Sequence, residues 1–360
     1  MNLSETAASL LEKAADYRLK GDYLRAIHFY KKSASLRSRA FSVGETYARA
    51  VALLGLGDLF RVKGAFADAR INYKKAIDAA EFLAKIPSFI PRDDDMGMTP
   101  EQIRFDALVG LALCDKASGR YKSAHRRLTA LLREAMSRGD KEAEGFLLWH
   151  TGMLLRFMGY PRKALEFIRR AMGIFKSKNL KTSSSYEGIG FCLCAMGGIL
   201  RVLGRTHESL KSYSDAAKIF RRTKDAYGMA YSLCGQANAL KTLGRWDDAL
   251  GLYSRSEKIY KKTGDLSSLA FVYKGIAGCY DGLALGLEYM PENESDIKSG
   301  KMKHTISSPA NAGKPHALSH AGFRKLSLKY YHLARKFFII SGDKRGLRLL
   351  ESQKKLVDRL

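Results

Sequence analysis

The sequence of 360 residues has little proline, few cysteines and no long apolar run. No stretch reaches the ~18 apolar residues that a membrane-spanning helix needs. The first residues carry neither the basic start nor the apolar core of a signal peptide. The five cysteines are an odd number, which is typical of reduced thiols rather than of a disulfide framework. We therefore expect a cytoplasmic protein without membrane insertion.

Motifs of common enzyme chemistry are also missing. The sequence has no phosphate-binding loop, dinucleotide fingerprint, HExxH motif or GxSxG nucleophile turn. Cys192 and Cys194 are too close together for a zinc knuckle, and no second ligand pair follows them. His150 lies beside Trp149 in a helical pattern, where a packed or solvated role is commoner than catalysis. We expect no catalytic residues, no cofactor and no metal.

Acidic residues are scarce, since 36 Asp and Glu stand against 62 Lys and Arg and the formal charge is +26. Such an excess favours association with nucleic acid, anionic lipid or acidic protein segments. The alternative is a well-solvated basic surface without a specific partner. Net charge does not decide between the two, because it bears on association rather than on fold.

A pattern of small, aromatic and glycine residues recurs six times along the chain. It places apolar residues three and four apart, as on one face of a helix, and then a glycine where the chain turns. That turn position can require a positive φ, which glycine adopts without strain. Undisturbed copies are 40 residues apart, as from Gly119 to Gly159. The second copy reads Gly57, Phe60, Gly64, Phe66, Ala69, Tyr73 and Ala76, and the other turn glycines are Gly21, Gly119, Gly159, Gly204 and Gly244.

These recurring positions resemble the tetratricopeptide repeat, in the extended form found in kinesin light chains and polarity-complex adaptors. The resemblance covers nearly the whole chain. It implies an all-α, right-handed superhelical solenoid of about seven helix pairs with a C-terminal capping helix. It also implies a non-enzymatic scaffold, in which the first helix of each pair, helix A, lines a concave groove that binds extended peptides.

The repeats divide the chain into segments. Aspartates that follow a Gly or Lys, such as Asp140 and Asp225, are predicted to cap the next helix. The predicted segments are 1–85 for repeats one and two, 86–101 for an insertion between repeats, 102–266 for repeats three to six, 267–290 for helix A of repeat seven, 291–319 for a mobile loop, 320–342 for helix B of repeat seven and 343–360 for the capping helix.

A row of basic residues is predicted along the groove. Three positions before the turn, all six copies carry Lys or Arg, whereas the aligned residue of the seventh repeat is Asp281. The alternative is a set of solvated cations that the dipole favours at the end of helix A. The row consists of Arg18, Arg61, Lys116, Arg156, Arg201 and Lys241.

A second predicted row is mainly aromatic. Its members either contact the ligand or pack between repeats, and a shift of one residue in the register decides which. Asn238 is a further candidate for contact with the ligand and is the only asparagine well placed on a helix A. The Lys/Asn/Asn/Lys/Arg set that some family members use to bind chaperone C-termini is not reproduced, so this clamp is not predicted. The row and its neighbours are Phe146, Trp149, Met153, Phe157, Phe191, Tyr231, Phe271 and Lys274.

Two functions fit these patterns. The first is a scaffold or adaptor that binds an acidic, partly apolar segment of a partner protein in the basic groove. The second is binding of single-stranded RNA through the same basic and aromatic surface. Because the charge is spread widely and no known RNA-binding module is recognised, the sequence favours the protein partner.

Overall fold

The computed structural model describes residues 3–36, 42–86, 97–177, 183–288 and 319–357. Within these ranges the chain forms fifteen α-helices and no strand. The helices are α1 (Leu3–Leu19), α2 (Tyr23–Ser35), α3 (Val43–Val62), α4 (Phe66–Leu83), α5 (Pro100–Ala117), α6 (Tyr121–Ser137), α7 (Lys141–Phe157), α8 (Pro161–Phe175), α9 (Ser183–Val202), α10 (Thr206–Thr223), α11 (Ala226–Thr242), α12 (Trp246–Thr263), α13 (Leu266–Glu288), α14 (His320–Ile340) and α15 (Lys344–Val357).

The chain divides into two compact units. Unit 1 comprises Met1–Ile174, Lys261–Ser267 and Ile340–Arg345, and unit 2 comprises the remainder. In unit 1 each helix from α1 to α6 packs on the next one, and α1, α3 and α5 also pack side by side. In unit 2, α9 and α11 each pack on α10 and on one another. Successive helix pairs therefore stack with their first helices together, which confirms the predicted all-α repeat architecture.

The turn glycines have the backbone conformation that the repeat pattern predicts. All six turn glycines have φ between 74° and 87°, the left-handed region that favours glycine. Asp140 and Asp225 cap α7 and α11, because their carboxylates accept 2.9 Å hydrogen bonds from the backbone N–H groups of Ala143 and Gly228. The predicted glycine turns at the ends of the first helices and the predicted caps at Asp140 and Asp225 are therefore confirmed.

Aromatic rings of the second helices occupy gaps that glycines leave in the first helices. The ring of Tyr73 on α4 lies against Gly57 of α3 and Gly110 of α5, so that a methyl group at either glycine would overlap it. One ring thus contacts the first helices of two successive repeats and fixes their spacing. The equivalent set in unit 2 is Tyr213 with Gly197 and Gly235.

Two predicted segments lie largely outside the described residues. These are the mobile loop 291–319, of which the structure describes residue 319 alone, and the insertion 86–101, of which residues 87–96 are not described. Among the described helices, none combines the length and apolar character that crossing a bilayer demands.

Candidate functional site

Four members of the basic row belong to unit 1 and lie in the last turns of successive first helices. They are Arg18 on α1, Arg61 on α3, Lys116 on α5 and Arg156 on α7. The partial negative charge at the end of a helix favours a cation there. Arg18 and Arg61 lie 4.0 Å and 3.6 Å from carboxylate oxygens of Asp58. The row is therefore partly neutralised at its N-terminal end.

Lys116 and Arg156 meet instead at the ring of Phe157. The Arg156 Cζ lies 4.5 Å from the ring centroid and the Lys116 Nζ lies 5.9 Å from it. A third cation comes from α15, where the Arg345 Cζ is 3.9 Å from the same centroid. Cations at such distances are attracted by the electrons of an aromatic face. We call Lys116, Arg156, Arg345 and Phe157 the cation cluster.

The cation cluster has a strongly positive environment. Burial and the charges of Arg61, Arg156 and Arg345 lower the pKa of Lys116 to about 8. Burial, with the charges of Lys116 and Arg61, holds the pKa of the nearby His150 well below its usual value, so this imidazole is neutral at pH 7.

Two buried nitrogens beside the cations lack hydrogen-bond partners within the described ranges. They are Nε of Arg156 and Nδ1 of His150. An unpaired polar atom that is shielded from water costs free energy unless a ligand supplies a partner. Both atoms are shielded from solvent, whereas the side chains of Lys116, Arg156 and Phe157 are partly exposed.

The rest of the basic row lies in unit 2, with Arg201 on α9 and Lys241 on α11. Burial lowers the pKa of Lys241; the charge of Arg201 also lowers it, whereas the nearby Asp281 raises it. Asp281 is buried and accepts hydrogen bonds from the hydroxyls of Ser327 and Tyr331. Lys241 thus has an acidic group nearby, at the position where the seventh repeat departs from the basic pattern.

Three members of the predicted aromatic row, Phe191, Tyr231 and Phe271, pack against the second helices. The rings of Phe191 and Phe220 are 5.0 Å apart, and those of Phe271 and Phe338 are 4.9 Å apart. Tyr231 packs against the same small core as Phe191. These contacts agree with the packing alternative for these side chains.

The remaining predicted residues differ in how much surface they offer. Met153 is buried, with 6% of its area exposed. The Asn238 amide donates to the Cys234 carbonyl at 2.8 Å and accepts from the Tyr253 hydroxyl at 3.0 Å, so it is already engaged. Phe146, Trp149 and Lys274 are partly exposed, and the Trp149 ring contacts His150.

The sequence reasoning missed Arg345 and the buried carboxylate of Asp115. Arg345 lies outside the six copies, so no repeat position marks it. Burial by itself raises the pKa of Asp115, but hydrogen bonds and nearby positive charges outweigh this and the net pKa is lowered. The groups that contact this carboxylate are Arg70, Arg120, Ser123 and Arg127.

Comparisons with known proteins agree with the helix-pair architecture. The family model described as tetratricopeptide repeat matches residues 5–81 and 183–262. A search of the curated proteins finds no matching sequence.

Several solved structures have a similar fold. The Rap conjugation gene regulator of plasmid pLS20, solved in complex with a Phr peptide, has 13% identity and a TM-score of 0.60, with 92% of this chain and 75% of that chain covered. A Rap protein complexed with competence and sporulation factor has 12% identity and a TM-score of 0.49, with 99% and 98% covered. Aspartyl phosphate phosphatase F from Bacillus subtilis has 11% identity and a TM-score of 0.47, with 99% and 80% covered. At such low identities the likeness concerns the fold alone.

Proposed function

Since this chain is a tetratricopeptide-repeat protein, we propose that it is a non-enzymatic scaffold or adaptor that binds an extended segment of a partner protein. The segment is acidic and partly apolar, and it runs along the members of the basic row in unit 1, at the ends of the first helices. The Rap regulator that carries a Phr peptide supports a peptide as the class of ligand. A cytoplasmic location stays a prediction from the sequence.

The observation that carries this proposal is the meeting of Lys116 and Arg156 at Phe157. Neither cation has an ion pair among the described residues, so acidic side chains of a partner would supply the missing opposite charge. The phenyl ring lies beside both charges and offers apolar area to the same segment. An acidic group next to an apolar one is the ligand chemistry that this arrangement recognises.

Magnitudes indicate that charge alone gives modest affinity. An exposed ion pair contributes ~0.2–1 kcal/mol, whereas a hydrogen bond to a charged group can contribute ~1.5–3 kcal/mol. A few acidic contacts therefore steer the segment and orient it. Apolar anchors that contact Phe157 and Trp149 have to supply the rest of the binding free energy.

Synthetic peptides test the proposal directly. The peptides of an array would differ in their number of acidic residues (Asp and Glu) and, independently, in their number of apolar residues (Leu and Phe). Binding of the labelled protein to each peptide would be measured. We expect peptides with both classes to bind best and peptides with Lys in place of the acids not to bind. The variant that combines Lys116→Glu and Arg156→Glu should lose this binding.

The matched control combines Arg169→Glu and Arg170→Glu, two exposed arginines on α8 that receive the same change in charge. It should bind the acidic peptides like the wild-type protein. Equal losses in the two double variants would show a nonspecific charge effect and contradict the proposed surface. Submicromolar binding of single-stranded RNA, with a steep fall in affinity as salt rises, would favour nucleic acid instead.

A further inference from the structure

A cavity of about 670 Å³ lies among the helices α2, α3 and α4 of unit 1. The helices α2 and α4 both pack on α3, and the cavity opens between them, with residues of all three helices in its wall. Its volume falls within the ~300–1,000 Å³ that is usual for small-molecule sites in proteins. The described residues that line it include no member of the basic row or of the aromatic row, so the cavity is separate from the surface discussed above.

The cavity is an elongated groove. Its lining on α3 extends from Thr46 to Leu56 and its lining on α4 from Asn72 to Phe82, which is ten residues or ~15 Å along each helix. The two helices are joined at the turn glycine Gly64. Leu56 and Asn72 are both eight residues from this glycine, and Thr46 and Phe82 are both eighteen residues from it. The two linings therefore run side by side along the whole groove.

The floor of the groove is apolar. Leu53, Leu56 and Ala79 are buried members of the core of unit 1, and Ala34 on α2 packs against that core. Phe82, at the end of the groove that is distant from the turn, is exposed. A floor of this kind favours the burial of an apolar chain or ring, because such burial removes apolar surface from water.

Cations from all three helices surround this floor. They are Lys31 on α2, Arg49 on α3 and Lys75 on α4, and within the described ranges none of them forms an ion pair. The Lys31 Nζ lies 5.8 Å from the ring centroid of Phe60 on α3. Three cations face the single carboxylate of Asp78 in the described wall, which leaves a net charge of +2. The groove therefore attracts an anion.

The positive charge is concentrated at one end of the groove. Arg49 and Asp78 are fifteen and fourteen residues from Gly64, so their opposite charges lie at a similar level and partly offset one another. Lys75 is only eleven residues from the turn, and the Lys31 ammonium lies near a ring close to the end of α3. The charge that is not offset is thus at the turn end, whereas the exposed phenyl ring is at the opposite end.

We propose that this groove binds a single-chain amphipathic anion. Its acidic head group contacts Lys31 and Lys75, and its apolar chain lies over Leu53 and Ala79 towards Phe82. Ammonium groups donate charge-assisted hydrogen bonds to carboxylate and phosphate oxygens, and an unbranched chain fits a long, narrow apolar floor. This inference goes beyond the scaffold function, because it assigns a small-molecule site to the second helices rather than to the basic row.

Ligands with the same chain and different head groups test the proposal. Decanoate, decyl phosphate, decanol and decyltrimethylammonium would be titrated into the full chain below their micelle concentrations, and calorimetry would measure binding. We expect one-to-one binding of both anions, about tenfold or more tighter than that of decanol or of the cation. The tighter anion identifies the head group. Hexanoate should bind more than about tenfold weaker than decanoate, because each fully buried methylene contributes about fourfold.

Matched variants locate the site. The combination of Lys31→Glu and Lys75→Glu should weaken decanoate binding by about tenfold or more. The control combines Lys32→Glu and Lys74→Glu, two exposed lysines of the same helices that lie outside the described wall. It should keep the wild-type affinity within about twofold. Ala34→Trp, which fills the groove and leaves its charge unchanged, should abolish the binding, and circular dichroism verifies that each variant folds.

Three results would overturn the assignment. Equal losses in the two double variants would show a general attraction of anions to a basic protein. Equal affinities for decanol and decanoate would show that the lysines do not recognise a head group. Binding to phosphatidylserine vesicles without saturable binding of decanoate or decyl phosphate would indicate contact with a membrane surface instead of occupation of the groove.

Discussion

The Tyr73 hydroxyl donates a 2.7 Å hydrogen bond to a carboxylate oxygen of Asp58 and accepts a 3.2 Å hydrogen bond from Nε of Arg61. Tyr73 is fully buried and its ring lies between two glycines, whereas Asp58 and Arg61 are partly exposed. One side chain therefore connects the packing of successive repeats to the charged row. Its ring fixes the repeat spacing, and its hydroxyl orients the arginine.

Removal of this hydroxyl should destabilise the protein without disturbing the ring. For Tyr73→Phe we expect a loss of ~1–2 kcal/mol in the free energy of unfolding, because Asp58 and Arg61 lose a shared buried partner. Urea unfolding followed by circular dichroism measures the change. Tyr160→Phe is the control, since Tyr160 is 51% exposed and should change stability little. Equal stabilities of the two variants would show that the hydroxyl contributes nothing.

Addition of a methyl group in the glycine gaps should also destabilise the fold. At Gly235 a Cβ would overlap the Tyr213 ring, whereas at Gly251 on α12 nothing lies within 4 Å. We expect Gly235→Ala to cost ~1–3 kcal/mol, through displacement of the ring. Gly251→Ala should stabilise by ~0.5–1 kcal/mol, because alanine has the higher helix propensity. Thermal unfolding of the two variants separates the cost of displacing the ring from the effect of helix propensity. A higher unfolding midpoint in both variants would contradict the close approach of the Tyr213 ring to Gly235.

The repeat architecture was predictable because its signals are local. Glycine at φ near 75° and Asp at the helix start depend on a few neighbouring residues, and these signals recur at a fixed interval. The aromatic row was harder to interpret, because a register shift of one residue turns a side chain by ~100° around a helix. Phe191 and Phe271 each pack against a ring of a second helix and are also partly exposed. The sequence pattern does not distinguish between these two roles.

The candidate site was predictable only in part, because it depends on contacts between distant parts of the chain. The basic row identified Lys116 and Arg156, but Arg345 approaches Phe157 from a helix 188 positions later in the sequence. No periodic position marks such a residue. For the same reason, the sequence does not indicate that Asp115 is paired with arginines, whereas its neighbour Lys116 has no ion pair within the described ranges.

Stability should depend on pH through Asp106. Burial raises the pKa of this carboxyl to about 6, although a hydrogen bond from Gln102 opposes the shift. The folded state therefore holds its proton more tightly than the unfolded state does, and a penalty develops as pH rises from about 4 to about 6. Asp106→Asn should be more stable than the wild type by ~1–2 kcal/mol at pH 7, with no difference below pH 4.

Urea unfolding at several pH values measures the Asp106 effect. Asp16→Asn is a suitable control, because Asp16 is exposed and lies on the surface of α1. It should show no comparable gain between pH 4 and pH 7. A gain for Asp106→Asn that is as large at pH 3.5 as at pH 7 would mean that ionisation of this group is not the cause.

Lys224 has an unfavourable backbone conformation that a glycine would relieve. It follows α10 with φ 57° and ψ 22°, in the left-handed region. Glycines hold the equivalent place before Asp140 and Asp265: Gly139 has a φ of 67° and Gly264 a φ of 69°. A side chain in this region costs ~1–2 kcal/mol, and the greater entropy of glycine in the unfolded state offsets ~0.4–1 kcal/mol of the gain from removing it. For Lys224→Gly we expect a net stabilisation of ~0.5–1 kcal/mol.

The comparison with Lys224→Ala separates backbone strain from charge. Both substitutions remove one positive charge, but alanine keeps the Cβ and therefore the strain at φ 57°. Thermal unfolding should raise the midpoint for glycine and leave it nearly unchanged for alanine. Equal gains in the two variants would indicate relief of charge repulsion with Arg221 and Arg222 in the last turn of α10, rather than relief of the backbone.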